Sequence, residues 1–137
     1  MTRKRILAVL VSDGSRDFTK LRSLLKTLGV EIWSTYACAE AARLVDQTRP
    51  ELIFTATELI DGTWSKNVEL AENAPVQTNA IVVGRSHDIG LYLSAMDRGA
   101  FDFIIPPFEW NTLNHVVRVA GGNARRQRKI QDKKAAA

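Results

Sequence analysis

The chain has 137 residues, of which 45% are hydrophobic and 25% charged, which is typical of one compact domain with a real core. Its formal net charge is +4, and most of that charge lies at the end of the sequence. No apolar run approaches the roughly 20 residues that a membrane-spanning helix needs. The single Cys38 excludes an internal disulfide. We therefore expect a cytoplasmic domain without a membrane partner.

The first half of the chain predicts three strands separated by two helices. "RILAVLVS" (5–12) is an unbroken apolar run, typical of a strand covered on both faces. Apolar residues then recur at helical spacing until Gly29 ends the helix. "VEIWST" (30–35) predicts a second strand and "AEAARLVDQT" (39–48) a second helix. The Arg49-Pro50 break precedes a third strand, "ELIFTA" (51–56).

The second half continues the alternation. A loop through Asp61-Gly62 leads to a weak third helix around "SKNVELAENA" (65–74), and "NAIVVG" (79–84) predicts strand four. Helix four is "DIGLYLSAMDRG" (88–99), strand five "FDFII" (101–105), and helix five "WNTLNHVVRVA" (110–120). Five strands alternating with five helices predict a doubly wound parallel sheet in three α/β/α layers. A functional site then belongs at the carboxyl ends of the strands, where the strand order reverses.

A basic segment follows this predicted domain, which spans residues 1–120. Gly121-Gly122 is expected to end helix five, and residues 121–137 contain almost no apolar residue with which to dock. This composition predicts a flexible, solvated C-terminal tail. Its cations leave contact with nucleic acid or another acidic surface as an alternative. The first four of these cations are Arg125, Arg126, Arg128 and Lys129.

Several stretches together resemble the receiver domain of bacterial two-component response regulators over about residues 4–120. They are the "LRSLLKTLG" first helix, the "RPELIF" approach to strand three, the "LIDG" loop and the "RGAFDFIIPPF" run. The resemblance implies a flavodoxin-like fold and a place in two-component signal transduction or a phosphorelay. It also implies a cis peptide bond before the second proline of "IPPF", at Pro106-Pro107.

The resemblance further implies where phosphoryl chemistry should lie, and there this sequence departs from the family. Receiver domains phosphorylate an aspartate that ends strand three, with Mg²⁺ held there and by an acidic pair after strand one. The phosphoacceptor position falls on Ala56, and a methyl group is neither a nucleophile nor a metal ligand. The acidic pair falls on Ser12 and Asp13, the hydroxyl position after strand four on Gly84, and the lysine position after strand five on Pro106. We therefore expect a degenerate pseudo-receiver that is not an enzyme and holds neither metal nor cofactor.

A protein-binding role remains for such a domain. Helix four is apolar on too many sides to bury every large residue, and in receiver domains this helix, strand five and helix five form the surface used for dimers and partners. The candidate surface residues are Leu91, Tyr92, Leu93 and Met96. Phe103 matches the family's switch aromatic. Because Gly84 has no hydroxyl with which the ring could interact, we expect Phe103 to be packed in one fixed position.

Flavin binding is a further alternative. The turn "VSDGSRDF" (11–18) joins the first strand to the first helix, where flavodoxin-like proteins cradle a phosphate, and helix N-termini bind anions. Asp13 and Asp17 in this turn would repel a phosphate, so this reading is the weaker one.

Overall fold

The computed structural model describes residues 5–136, and in that range strands and helices alternate as predicted. The strands are β1 (Leu7–Val11), β2 (Glu31–Thr35), β3 (Leu52–Ala56), β4 (Glu58–Leu59), β5 (Gly62–Thr63), β6 (Asn79–Val83) and β7 (Asp102–Ile104). The helices are α1 (Arg16–Thr27), α2 (Cys38–Thr48), α3 (Trp64–Glu72), α4 (Ile89–Asp97) and α5 (Trp110–Ala136). None of the described helices is both long enough and apolar enough to cross a membrane.

The main sheet has five parallel strands in the order β2-β1-β3-β6-β7. The chain moves from β1 to β2 on one side and then crosses to β3 on the other, so the strand order reverses between β1 and β3. The prediction of a doubly wound, flavodoxin-like α/β/α fold is confirmed.

Apolar cores lie on both faces of this sheet, which explains the unbroken apolar runs. Along β1, Leu10 packs toward α1 and α5, while its neighbour Val9 packs toward α2 and α3. In β3, Phe54 packs on the same face as Leu10, and Ile53 packs on the same face as Val9. Because successive side chains of a strand point to opposite faces, a central strand covered on both sides must be apolar at every position.

The predicted end of helix five at Gly121-Gly122 is wrong, because α5 continues to Ala136. Gly121 is buried in the helix interior, and a Cβ added there would lie 2.7 Å from Cδ1 of Ile6. The glycine is therefore a point of close approach between the helix and the chain leading into β1. A local stop signal is outweighed by tertiary packing at this position.

The segment after Gly122 also packs against the sheet, contrary to the expectation that it has nothing with which to dock. Ala124 is fully buried. Arg125 Nε donates to Glu51 Oε2 at 3.1 Å, and Arg128 donates to the carbonyl oxygens of Pro50 and Gln77 at 2.7 and 2.8 Å. The first part of the predicted tail, up to Arg128, is therefore packed on the domain, and residue 120 is not the end of the folded structure. From Lys129 to Ala136 every residue is exposed.

The loop after β3 and the turn after β7 each have a distinct local structure. The segment predicted as a plain loop contains the two-residue strands β4 and β5, paired antiparallel through Glu58 with Thr63 and Leu59 with Gly62. The Pro106-Pro107 peptide bond is cis, as the resemblance implied.

Candidate functional site

The carboxyl edge of the sheet gathers the five positions that the resemblance assigned to phosphoryl chemistry. Ser12 and Asp13 follow β1, and Ala56 ends β3. Ala56 pairs with Val83, directly before Gly84, and the Gly84 amide donates to Ile104 O at 2.9 Å. Pro106 follows β7 by two residues. The five positions therefore lie together at one edge of the sheet, and the chemistry available at that edge depends on their side chains.

Ala56 presents a methyl group, fully buried in the core between the sheet, α1 and α5. The hydroxyl of the preceding Thr55 is also fully buried. It donates to Ala56 O and accepts from Asn67 Nδ2, both at 2.9 Å. Neither residue offers an exposed oxygen nucleophile at the end of β3.

Asp13, the remaining carboxylate of the presumed acidic pair, already has two partners. Its Oδ1 accepts from the Ser15 amide at 2.9 Å, which fixes the turn before α1 as expected for a carboxylate that caps a turn. Its Oδ2 lies 3.7 Å from a guanidinium nitrogen of Arg85. Arg85 was not predicted from the sequence as a residue of this edge. Its position could have been inferred, because the residues that directly follow Gly84 leave the sheet at this same edge.

These residues do not fit a magnesium ion. Mg²⁺ requires near-octahedral oxygen ligands, usually from one or two carboxylates plus water and phosphate. Asp13 faces an arginine, Ala56 has no side-chain oxygen, and Ser12 Oγ accepts from the Gly14 amide at 2.9 Å. Within residues 5–136, no three His, Cys, Asp or Glu side chains come together as a ligand group. We derive no reaction step through a metal at this edge.

The ring of Phe103 fills the space beside Gly84. A Cβ built on Gly84 would lie 2.5 Å from Cζ of Phe103 and 3.2 Å from Cγ2 of Ile105. Real Cβ atoms do not approach other atoms as closely as 2.5 Å, so any side chain at this position requires the ring to move. The ring also meets Tyr92 edge to face, with centroids 5.8 Å apart and planes at 84°. Phe103 is thus held between a glycine and a tyrosine.

Pro106 is half-buried and lines a cleft of about 350 Å³ with Lys20 and Phe108. A pyrrolidine ring carries no charge and no hydrogen-bond donor. The position therefore supplies none of the fixed positive charge that would stabilise a phosphoryl group.

Asp61, in the loop after β4, has a structural role that the sequence did not indicate. Its carboxylate accepts from the amides of Cys38 and Ala39 at 2.6 and 3.0 Å, and so caps the start of α2. These bonds, with that from Ala39 first, hold the pKa of Asp61 below its usual range. Burial, followed by the neighbouring Asp61, raises the pKa of the Cys38 thiol. Cys38 is a free, buried thiol.

The outer side of α4 carries apolar residues at helical spacing. Ile89 and Leu93 are four residues apart and 76% and 55% exposed, and Tyr92 and Met96 lie beside them, also exposed. We call these four residues the α4 stripe. Leu91 is half-buried beside Trp64 and does not belong to it.

The cations of the predicted tail fall into two groups. Arg125 and Arg128 are bound to the body of the domain, so the structure corrects their assignment to a free tail. Arg126 and Lys129 are exposed. The charge available to an outside partner therefore begins at Arg126 and lies mainly on the last two turns of α5.

No protein-family model matches this sequence, and comparison with curated proteins finds no match. Solved structures do share the fold. The signal receiver domain of a protein described as a Luxo repressor from Vibrio parahaemolyticus is 20% identical with a TM-score of 0.78, over 93% of this chain and 95% of that one. A protein described as a response regulator from Chloroflexus aurantiacus is 18% identical with a TM-score of 0.80, over 87% and 99%.

A third similar structure is the receiver domain of a sensor histidine kinase from Pseudomonas aeruginosa, with magnesium coordinated in its active-site cleft. It is 17% identical with a TM-score of 0.76, over 86% of this chain and 98% of that one. The chain therefore has the receiver-domain fold.

Proposed function

We propose that this chain is a cytoplasmic receiver-like domain that takes part in two-component-type signalling through protein contacts and without phosphoryl transfer. The observation that carries the proposal is the buried methyl of Ala56 at the end of β3. At this position a receiver domain needs a carboxylate that is at once nucleophile and metal ligand. On this reading the domain is not an enzyme.

Two further observations support the loss of the reaction. The Asp13 Oδ2 atom lies 3.7 Å from the exposed Arg85 guanidinium, so the one carboxylate left at this edge already faces a positive charge of the protein. The ring of Phe103 occupies the space over Gly84. A ring confined in this way cannot follow the modification state of the site, because there is no side chain at residue 84 with which it could exchange contacts.

The direct test is incubation with Mg²⁺ and acetyl phosphate, followed by mass spectrometry of the intact protein. We expect no added phosphoryl group under conditions that fully modify an active receiver domain in a parallel reaction. A mass increase of one phosphoryl group that hydroxylamine removes would overturn the proposal, because that lability identifies an acyl phosphate.

The α4 stripe is the surface that we propose for the protein contact, and a second copy of this chain is the partner that the stripe itself supports. Large apolar side chains that continue along one face of a helix are usual where proteins associate. Tyr92 of the stripe contacts Phe103, whose ring lies beside Gly84. The stripe therefore lies next to the edge that lacks the phosphoryl-transfer groups.

Nucleic-acid binding by the end of α5 stays a second candidate, supported by the exposed cations Arg126, Lys129, Lys133 and Lys134. Removal of residues 121–137 is not a clean test, since Arg125 and Arg128 hold the fold together. Substitution of Lys129, Lys133 and Lys134 by Gln leaves those contacts in place. If this end of the helix binds random duplex DNA, the triple variant should bind more weakly and with a smaller dependence on salt. Equal binding by both proteins would remove this candidate.

A further inference from the structure

A polar cleft lies between α1 and the edge strand β2. It is lined by cations and hydroxyl groups, and Ala56, Gly84 and Pro106 are not part of it. Its volume is about 340 Å³, which is at the lower end of the range for small-molecule sites. Arg22 and Lys26 line one wall from α1, and Ser34 and Tyr36 line the other from the end of β2. Its size suits one small molecule of the dimensions of a mononucleotide.

The charge of this cleft is entirely positive. Arg22 and Lys26 are four residues apart and therefore neighbours on one face of α1, where like charges destabilise a helix unless an anion lies between them. Neither forms an ion pair with any residue in the described range, and no Asp or Glu lines the cleft. The other cations of α1, Arg16 and Lys20, lie on a different face.

Hydroxyl groups complete the polar lining. Ser23 and Ser34 are exposed, and their hydroxyls have no hydrogen-bond partner in residues 5–136. Ser12 Oγ accepts from the Gly14 amide, which leaves its own proton free to donate. Two cations and three hydroxyl donors facing one space form an environment that matches phosphate oxygens, because phosphate accepts several charge-assisted hydrogen bonds at once.

Tyr36 supplies the aromatic side of the cleft. Tyr36 is 62% exposed, and a Cβ on Gly14 would lie 3.9 Å from its Cε1, so the ring packs beside the turn between β1 and α1. An exposed aromatic face stacks on a flat ring of a ligand regardless of that ring's exact substituents.

We infer that this cleft binds a small phosphorylated compound with an aromatic ring, a mononucleotide in chemical class, with its phosphate at Arg22 and Lys26 and its ring on Tyr36. This binding is independent of the proposed function, because it uses neither Ala56 nor the α4 stripe.

The test is an NMR titration of the full chain with AMP, adenosine and inorganic phosphate. We expect AMP to shift the amides of α1 and of residues 34–36 in a saturable manner. Adenosine lacks the phosphate oxygens and inorganic phosphate lacks the ring. Each should bind at least about tenfold more weakly than AMP, since the loss of one charge-assisted hydrogen bond or of one aromatic stacking contact has roughly that effect. A protein that gives no saturable response to AMP at millimolar concentration would overturn the inference.

Matched variants of one helix separate this site from general attraction of anions. Arg22→Gln with Lys26→Gln should weaken AMP binding by more than about tenfold, whereas Arg16→Gln with Lys20→Gln, which removes the same charge from another face of α1, should not. Tyr36→Ala should reduce the affinity for AMP to that for phosphate. Equal losses in the two double variants would show that net charge alone attracts the nucleotide, and the site would be rejected. All five side chains are exposed, so the variants should fold.

Discussion

Arg125 reaches from α5 to Glu51, a carboxylate with only 3% of its side chain exposed, and the two form an ion pair at 3.1 Å. The other oxygen of Glu51 accepts from the Leu7 amide at 2.9 Å. One buried carboxylate therefore joins the start of β1, the start of β3 and the C-terminal half of α5. Together with the buried Ala124 and the hydrogen bonds of Arg128, this contact holds the helix on the sheet beyond Gly122.

Loss of this ion pair should destabilise the whole domain. Arg125→Met keeps most of the apolar stem but removes this ion pair and its hydrogen bond from the buried Glu51, so we expect the free energy of unfolding to fall by about 1–3 kcal/mol. The measurement is urea denaturation followed by circular dichroism. Arg126→Met is the control, because Arg126 is exposed and its loss should change stability by less than about 0.5 kcal/mol. Equal effects of the two substitutions would contradict the role of Glu51.

Gly84→Ala should be strongly destabilising, because the new Cβ meets the ring of Phe103. We expect a loss of about 1–3 kcal/mol, the usual range for overpacking. The double variant with Phe103→Leu should lose less than the sum of the two single variants, since the smaller side chain leaves space for the methyl. The measurement is a double-mutant cycle in urea. Additive losses would show that the cost of Gly84→Ala does not come from contact with the Phe103 ring.

Ala56→Asp alone should not restore phosphorylation, because Ser12, Gly84 and Pro106 still lack the required groups. The new carboxylate would be buried, and burial raises the pKa of an acid above its value in the unfolded chain. The resulting loss of stability should be small below the unfolded pKa of about 3.9 and should grow as the pH rises through the folded pKa. Thermal unfolding from pH 4 to pH 8 measures this, with Ala56→Asn as the uncharged control. A phosphorylated Ala56→Asp protein would contradict the prediction.

Asp61 should stabilise the fold in a manner that depends on pH. Its pKa is lowered in the folded state by the amides of Ala39 and Cys38, so its contribution is present above the ordinary pKa of a carboxyl and disappears as the pH falls through the lowered value. The difference in melting temperature between the wild type and Asp61→Asn should therefore shrink as the pH is lowered from 6 toward 3. Asp46→Asn is the control, because Asp46 lies on α2, the helix that Asp61 caps, and forms no hydrogen bond to the described residues. A difference that stays constant over this range would show that the cap acts without its charge.

The α4 stripe should mediate self-association. Sedimentation velocity over a range of protein concentrations should show a dimer for the wild type and a monomer for Ile89→Lys with Leu93→Lys, because charges at the centre of an apolar interface are strongly unfavourable. Val119→Lys places a charge on another exposed apolar residue, on α5, and should leave the dimer intact. A wild-type protein that remains monomeric at all concentrations would exclude a second copy as the partner.

The sequence predicted the strands well because each central strand is covered on both faces, and an apolar run such as "LAVLV" satisfies that environment directly. It failed at Gly121, where the local preference of glycine for helix ends is outweighed by the close contact with Ile6. It also missed Arg85 and the reach of Arg125, because long side chains pair across the fold between residues far apart in the chain. The positions at the carboxyl edge could be predicted, while the contacts that now occupy that edge could not.

The contact between Gly84 and Phe103 also limits which mutations the domain can accept at residue 84. Every amino acid that could replace Gly84 by mutation brings at least one carbon atom into a space already filled by the ring. The first step toward a hydroxyl at this position should therefore lower stability before any second change could make the hydroxyl useful. Adaptation of this chain meets less resistance at surfaces where no such contact has to be broken.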